Sequence, residues 1–382
     1  MRIGIMMQSL CHLGGIGIYT REVIKHLLKI DSKNRYILIY PPFGQAHKLY
    51  GQFSSNKNVV EVYTKSLIPH AIYWDNFVVP KILSKYSADL VFNPFLSVPL
   101  LGDFKKIFVM HGHEWFTMPQ VFWFSERITG KIRMKSIMRV ADKIISISNT
   151  MTALCIKETG IPDYKFRTIY HGVNENFKPI TDSKQLDEVR LKYHLPEKFI
   201  LFIGGLYPQK NFSGLVNAFS LMVNDIPHQL VVVGKTRWKY KNDLKLIEEK
   251  GLETRIQLLG WVNPEEIPTL YNLADCFVYP SLYEGFGLCL LEAMAAGCPV
   301  VAASTGALPE IARDAALLVD PQNYRQMKDA IMEVISNVAL RHDLVQKGIL
   351  RAKDFTWEKC AEETLKLFYE VGSATTDSDI TQ

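Results

Sequence analysis

The 382-residue chain predicts an α/β protein built from two Rossmann-like domains. Three observations carry that expectation. Short apolar, β-prone runs alternate with amphipathic helical stretches along the whole chain, the pattern of parallel sheets covered by helices. The length exceeds what one ordinary hydrophobic core serves. Two of the runs, beginning near Arg2 and Phe199, lead into glycine turns at Gly14-Gly15 and Gly204-Gly205, so the pattern starts twice.

In the first half the runs predict strands at 2–7, 36–40, 59–63, 90–93, 106–110, 143–147 and 167–170. Helical periodicity fills 15–30, 71–85, 126–140 and 149–159. The alternation stops around Phe177-Lys178-Pro179, where a polar stretch places the linker. In the second half strands are expected at 199–203, 229–233, 256–259, 276–279 and 300–303. Helices are expected at 185–193, 211–223, 240–250, 265–274, 288–296, 324–334, 339–352 and 357–371. The domains are therefore 1–178 and 179–355, with a terminal helix at 356–372 and a polar, disordered tail at 373–382.

Composition excludes several classes. Hydrophobic residues at 48% and charged residues at 22% fit a globular protein. The first residues read as a strand, not a signal peptide, and no apolar run approaches the roughly 20 residues that cross a bilayer. Six scattered cysteines (Cys11, Cys155, Cys276, Cys289, Cys298 and Cys360) lack metal-ligand spacing and suggest buried thiols in a reducing compartment. A cytoplasmic protein is the expectation. Net charge is +5, unevenly spread: residues 1–178 hold 23 Lys/Arg against 12 Asp/Glu, and residues 179–382 hold 21 against 27. A basic half and an acidic half point to different partners. No nucleic-acid-binding module accompanies the charge, so nucleic acid is not expected.

Residues 280–297, Pro-Ser-Leu-Tyr-Glu-Gly-Phe-Gly-Leu-Cys-Leu-Leu-Glu-Ala-Met-Ala-Ala-Gly, are the most informative stretch. A strand, a Gly285-Phe286-Gly287 turn and a helix follow one another, with Leu288 in the first helical turn. A helix start of this kind attracts anions, because its N–H groups and dipole both favour negative charge. Glycine on each side of Phe286 admits a ligand close to the backbone. Glu284 precedes the turn and suits sugar hydroxyls; Glu292 lies within the helix and reaches a ribose. A phosphate between two hydroxyl-binding carboxylates describes a nucleotide sugar. The plainer alternative makes Glu284 a helix cap and Glu292 a solvated residue.

Other strand ends carry chemistry. Gly14-Gly15-Ile16-Gly17 lacks the third glycine of the dinucleotide fingerprint, and no acidic residue ends the second strand. His111-Gly112-His113-Glu114 sits at a strand's carboxyl edge, where open parallel sheets bind ligands. A hydrogen-bonding His facing substrate is the favoured reading over a metal site, since two His at i and i+2 make a weak metal signal. Lys210, after Gly204-Gly205, offers an ammonium to an anion in the cleft. Glu310, after Gly306, is a further candidate.

These residues resemble the retaining glycosyltransferases of the GT-B fold, family 4, over about residues 1–371. The specific element is Glu-x7-Glu at Glu284 and Glu292 around Gly285-Phe286-Gly287. Gly14-Gly15, His111 with Pro119, Tyr170-His171-Gly172-Val173, Lys210-Asn211, Gly306-Ala307-Leu308-Pro309-Glu310 and Ala316-Leu317-Leu318-Val319-Asp320-Pro321 support it. The resemblance implies two Rossmann-like domains facing each other across a cleft, with the C-terminal helix crossing back to the N-terminal domain. It implies a donor nucleotide on the C-terminal domain and an acceptor on the N-terminal one. Glu284 would hold the transferred sugar, Glu292 the ribose, and His111 the donor sugar near the reaction centre. Lys210, with N–H groups of Phe286, Gly287 and Leu288, would stabilise the leaving diphosphate, flanked by Gly205 and closed upon by Gly14-Gly15. Transfer would retain anomeric configuration without a metal or other cofactor.

Two departures stand out. Many relatives carry arginine where Gly205 or Gln209 stands, so Lys235 and Arg237 become candidates for the missing cation. The residue after the family's histidine is often Asp, but here it is Gly112. The resemblance implies a GDP-, UDP- or dTDP-sugar donor, with mannose favoured, and a saccharide or lipid-diphosphate-linked saccharide acceptor in surface-polysaccharide assembly. Arg127, Lys131, Lys135 and Arg139 repeat every four residues along one helix, near Ile128, Ile132, Met134, Ile137 and Met138 and downstream of Val121-Phe122-Trp123-Phe124. This basic stripe suits an anionic membrane surface, the alternative being an ordinary solvated face. Two other functions fit the same donor site: a nucleotide-sugar epimerase, and a non-catalytic nucleotide-sugar-binding scaffold.

Overall fold

A computed structural model describes residues 1–373 except 11, 13, 45–49, 66, 67, 69, 113–123 and 236–239; the side chains of 124–127 and 240 also lie outside the description. The chain forms two compact units, one of Met1–Gly172 with the segment from Trp357 onward, the other of Val173–Thr356.

Unit 1 holds strands β1 (Arg2–Met6), β2 (Arg35–Tyr40), β3 (Val59–Tyr63), β4 (Leu90–Asn93), β5 (Lys105–Met110), β6 (Lys143–Ser146) and β7 (Phe166–Thr168). They make one parallel sheet in the order β3-β2-β1-β4-β5-β6-β7. Helices on both faces bury the central strands, and every residue of β4 is buried. Burial on both sides is why these strands read as unbroken apolar runs and not as alternations.

Helices α1 (Gly15–Ile30), α2 (Ala71–Tyr73), α3 (Val79–Lys85), α4 (Phe124–Val140) and α5 (Asn149–Thr159) belong to this unit. The helix expected over 71–85 is not continuous: Trp74–Val78 form a π-helical turn between α2 and α3. Pro80 supplies a reason, since it donates no hydrogen bond and its ring crowds the carbonyl four residues earlier. Trp74 at the start of the wide turn is fully buried and donates Nε1–H to Thr64 Oγ1 at 2.8 Å.

Unit 2 repeats the plan with β8 (Phe199–Ile203), β9 (Gln229–Val233), β10 (Ile256–Gly260), β11 (Cys276–Tyr279), β12 (Val300–Ala303) and β13 (Leu317–Val319). The order is β10-β9-β8-β11-β12-β13, again parallel. Its helices are α6 (Ser183–Lys192), α7 (Phe212–Ser220), α8 (Tyr240–Glu249), α9 (Ile267–Leu273), α10 (Leu288–Ala295), α11 (Leu308–Ala312), α12 (Tyr324–Ser336) and α13 (Val338–Ala352).

The chain enters unit 2 at Val173, ahead of the polar stretch where the sequence places the linker. That stretch is tied down: Ile180 N–H donates to Asn272 Oδ1 at 2.7 Å, and Asn272 Nδ2 to the Lys178 carbonyl at 3.0 Å. The chain leaves unit 2 at Thr356. Helix α14 (Trp357–Ser373) then joins unit 1 and packs against α1. Its buried face (Trp357, Cys360, Ala361, Thr364, Leu367, Phe368, Val371) follows helical spacing. Phe368 meets Phe92 edge-on with ring centres 5.1 Å apart. Each large apolar side chain so covered contributes about 1.5–3 kcal/mol.

Candidate active site

In unit 2 the strand order reverses between β8 and β11, and the loops leaving those two strands meet. Such a reversal point is where open parallel sheets bind ligands. After β11 the chain runs through Glu284 and the glycine turn into α10. Gly287, the residue before α10, has φ +103°, and a Cβ there would sit 2.6 Å from Leu308 Cδ2. Only glycine serves. Phe286 anchors the turn: it is buried and edge-on to Phe355 at 5.8 Å. No side chain caps α10 at Gly287, so its first turn presents the positive end of the helix dipole.

The β8 loop is stitched to this turn. Lys210 Nζ donates to Glu284 Oε1 at 2.5 Å and to the Tyr279 hydroxyl at 3.0 Å, and lies 5.0 Å from the Tyr279 ring centre. Gln209 Nε2 donates to the Tyr283 carbonyl at 2.8 Å, and Leu282 N–H to the Gln209 carbonyl at 2.8 Å. Asn211, in the left-handed conformation (φ +53°), donates Nδ2 to the carbonyls of Pro280 at 3.1 Å and Pro321 at 2.8 Å. Burial works against the Lys210 ammonium, but Glu284 and the neighbouring Tyr279 and Tyr207 outweigh it and hold its pKa well above the usual lysine range. It is a fixed cation. Gly205, partly exposed, begins the same loop, its carbonyl accepting from Tyr207 N–H at 3.0 Å.

A third loop fixes Glu284 from behind. Ala307 N–H donates to the Glu284 carbonyl at 2.9 Å, and Thr305 Oγ1 to the Ser281 carbonyl at 2.9 Å. Gly306 (φ +56°) lies so close to the Glu284 backbone that a Cβ would collide with it. Glu310, proposed from sequence as a weaker ligand, opens α11, and its carbonyl accepts from Arg351 Nη2 at 3.0 Å. Glu292 occupies the second turn of α10. Tyr271 donates its hydroxyl to Glu292 Oε2 at 3.4 Å, yet burial pushes the Glu292 carboxyl up to about 8. Lys235 is exposed, and Arg237 lies outside the described residues.

Unit 1 holds the other expected residues. Gly14 and Gly15, at the start of α1, are exposed, and a Cβ on Gly14 would meet nothing within 4 Å. The glycine that packing demands is Gly17, pressed onto the His12 carbonyl. His111 follows β5 and donates Nε2–H to the Pro94 carbonyl at 2.9 Å, which leaves Nδ1 as its acceptor nitrogen. Burial lowers its pKa to about 4, so the ring is neutral at physiological pH. Its ring is 4.8 Å from Tyr19 and 5.4 Å from His171, and His171 stacks on Trp357 at 5.8 Å. His113, Glu114 and Pro119 lie outside the described residues. Among the described residues no three His, Cys, Asp or Glu side chains gather as a metal site.

On α4, Met134, Ile137 and Met138 face the core, while Ile128 and Ile132 are exposed with Arg139, and Lys131 and Lys135 are half-buried. The Arg127 side chain and residues 121–123 are outside the description. No helix among the described residues is long and apolar enough to cross a membrane.

Sequence reasoning brought Lys210, Glu284 and Glu292 to one place, because strand–turn–helix motifs announce themselves locally. It gave Gln209 no role beyond a missing arginine, named Gly306 without its function, and overlooked Tyr271. These act through folded proximity, for which no spacing rule exists; the one available signal was glycine at 306 beside a helix start.

Two family descriptions match the chain: "Glycosyltransferase Family 4" over residues 13–177 and "Glycosyl transferases group 1" over residues 184–351. The chain is similar to an O-antigen chain mannosyltransferase B of Escherichia coli, 32% identical over 231 residues that are 60% of each chain. It is also similar to a serotype-specific mannosyltransferase of Escherichia coli, 28% identical over 63% of this chain, which spans only 30% of that protein. Among solved structures it resembles an Anabaena protein, HepE, crystallised with UDP-glucose (TM-score 0.78, 19% identity, 97% of this chain and all of that one).

Proposed function

Since the chain belongs to glycosyltransferase family 4 of the GT-B fold, we propose that it moves a hexose or deoxyhexose, mannose foremost, from a nucleoside-diphosphate sugar to a saccharide acceptor, retaining anomeric configuration. The carrying observation is the Lys210–Glu284 pair at 2.5 Å beside the uncapped start of α10. A carboxylate that takes sugar hydroxyls and a cation that takes phosphate are held ready, each by the other's charge. Donor binding places the diphosphate between Lys210 and the α10 amides, and Glu284 turns its acceptor oxygens to the sugar. As the glycosidic bond to phosphate lengthens, negative charge grows on the leaving oxygen, where fixed donors stabilise it most. In this mechanism the departing phosphate takes the acceptor's proton, and Lys210 with the helix dipole does the charge work without a metal. Glu292 holds the ribose. His111, neutral, keeps Nδ1 free of a proton and able to accept a hydrogen bond from a hydroxyl.

The names of the relatives support surface-polysaccharide assembly and a mannosyl donor; the UDP-glucose complex of the Anabaena protein supports a nucleotide-sugar site. The basic stripe with exposed Ile128 and Ile132 supports peripheral contact with an anionic membrane, where a lipid-diphosphate-linked acceptor would wait. The test mixes purified protein and a mannoside acceptor with GDP-mannose, UDP-glucose or dTDP-rhamnose and measures nucleoside diphosphate release, with the product anomer read by NMR. Release from at least one donor, with a product of that donor's own anomeric configuration, is expected. Silence with all three, together with no donor binding, refutes the reading.

A further inference from the structure

Beyond β8, on the side away from β11, the carboxyl edge of the unit 2 sheet continues through β9 to β10. Short backbone contacts draw these strand ends together. Gly204 N–H donates to the Val233 carbonyl at 2.9 Å, Leu206 N–H to the Lys235 carbonyl at 3.2 Å, and Gly234 N–H to the Gly260 carbonyl at 2.8 Å. Gly234 (φ +151°) is pressed so closely onto the Gly204 carbonyl that a Cβ would collide with it. Gly260 (φ +69°) lies where the register of β10 against β9 shifts. A bulge of this kind bends its strand and re-aims the side chain beside it.

The side chain so placed is Trp261. Among the described residues Trp74 and Trp357 are buried, whereas Trp261 is 58% exposed. An indole left in water at a sheet's carboxyl edge is a platform for a flat partner. Lys235, at the neighbouring strand end, is exposed as well, and among the described residues its ammonium forms no ion pair and no hydrogen bond. Lys210 is already paired with Glu284, so a diphosphate, with more than one negative charge, needs a second cation. Strand β10 lies two strands from β8, about 10 Å at the usual spacing. A ribose and its linking phosphate bridge such a gap. From Trp261 the chain runs into α9, whose Tyr271 reaches Glu292 at 3.4 Å, so the indole and the carboxylate proposed for the ribose belong to one crossover.

We propose that Trp261 stacks on the base of the donor nucleotide while Lys235 faces its phosphates, and that this platform selects a purine. The two fused rings of a purine cover both rings of the indole, whereas a pyrimidine covers one, and stacking strengthens with overlap. Of the GDP, UDP and dTDP donors, only GDP carries a purine. The transferred sugar is the wrong partner for this indole, because Glu284, which takes the sugar, follows β11, three strands away. The assignment rests on the glycosyltransferase reading and adds to it the identity of the base.

The test titrates GDP, UDP and inorganic pyrophosphate into the full chain by calorimetry. GDP should bind the wild type more tightly than UDP. Trp261→Ala should weaken GDP about tenfold or more, weaken UDP less and leave pyrophosphate unchanged, whereas Lys235→Gln should weaken all three. Trp261→Phe, which keeps an aromatic face, should retain most of the GDP affinity but lose the quenching of tryptophan fluorescence that GDP causes in the wild type. Trp261→Ala is expected to keep the wild-type melting temperature, since the side chain is exposed; should it unfold, the lost quenching in Trp261→Phe carries the test. UDP bound as tightly as GDP, GDP affinity unchanged in Trp261→Ala, or pyrophosphate weakened along with it overturns the base platform while nucleotide binding persists. So does a dimer that Trp261→Ala dissociates with GDP binding intact, and an indifferent Lys235→Gln removes the lysine. Failure of the wild type to bind any nucleoside diphosphate would instead strike the parent reading, and the platform with it.

Discussion

Lys210 and Glu284 depend on each other, and that dependence sets what substitution will do. Removing the ammonium leaves a half-buried carboxylate facing Tyr279 and deprives the leaving diphosphate of its cation. Lys210→Ala should lower kcat about 100- to 1000-fold, the usual loss for one preorganised charge-stabilising donor, in a protein that still melts cooperatively. Gly306→Ala acts differently. It adds a Cβ against the Glu284 backbone at a φ of +56°, so it should cost about 1–3 kcal/mol of stability and displace Glu284, lowering kcat with little change in nucleoside diphosphate affinity. Calorimetry and isothermal titration separate the two effects. Glu292 makes a pH prediction. Its folded pKa of about 8 lies above the unfolded carboxyl value, so between the two the native state binds more protons than the unfolded one and stability falls as pH rises. Glu292→Gln should therefore raise the melting temperature more at pH 8 than at pH 5. Donor affinity of the wild type should climb from pH 6 towards pH 8, as the ribose-accepting anion forms, and the glutamine variant should lose that slope. The placement of Glu284 and Glu292 was legible because strand, turn and helix follow one another within one segment. Gln209 was not, because its partner is the Tyr283 carbonyl, far along the chain.

Elements were legible in proportion to how completely they are buried. Strand β4, covered on both faces, is an unmistakable apolar run, and α1 announces itself by period and by the glycines that start it. Strand β13 and helix α11 span only three and five residues, too short for any period to show, and the sequence registered them as motifs around Gly306 and Asp320. The helix over 71–85 was read as continuous because a π turn keeps nearly the same hydrophobic spacing; Pro80 was the visible clue. Helix α4 carries the prediction at this scale. Its core face is Met134, Ile137 and Met138, which leaves Ile128 and Ile132 exposed along the basic stripe. Replacing Lys131, Lys135 and Arg139 with Glu should release the protein from vesicles rich in phosphatidylglycerol, each cation near the surface being worth about 1 kcal/mol. Cosedimentation at unchanged levels would remove the membrane role from α4.

At the scale of the whole molecule, two parallel-sheet domains were legible from length, from strand–helix alternation and from the two glycine-turn restarts, whereas the strand orders came from the fold. The place where the chain passes between the units was not, since the polar stretch after Phe177 looks like a linker but is bound to Asn272. A donor at a hundred times its dissociation constant should stabilise the native state by about 2.7 kcal/mol, a rise of several degrees in scanning calorimetry. Unit 2 is one continuous segment, whereas unit 1 needs α14 to cover the buried face of α1. A fragment of residues 173–356 should thus melt cooperatively alone, and one of residues 1–356 should show only the unit 2 transition by circular dichroism. The same arrangement imposes an order on biosynthesis. Ribosomes deliver residues 1–172 before α14, yet that portion stays sticky until α14 has been translated, so residues 173–356 mature before residues 1–172. A nascent chain of this design calls for chaperone attention at residues 1–172 until α14 has emerged.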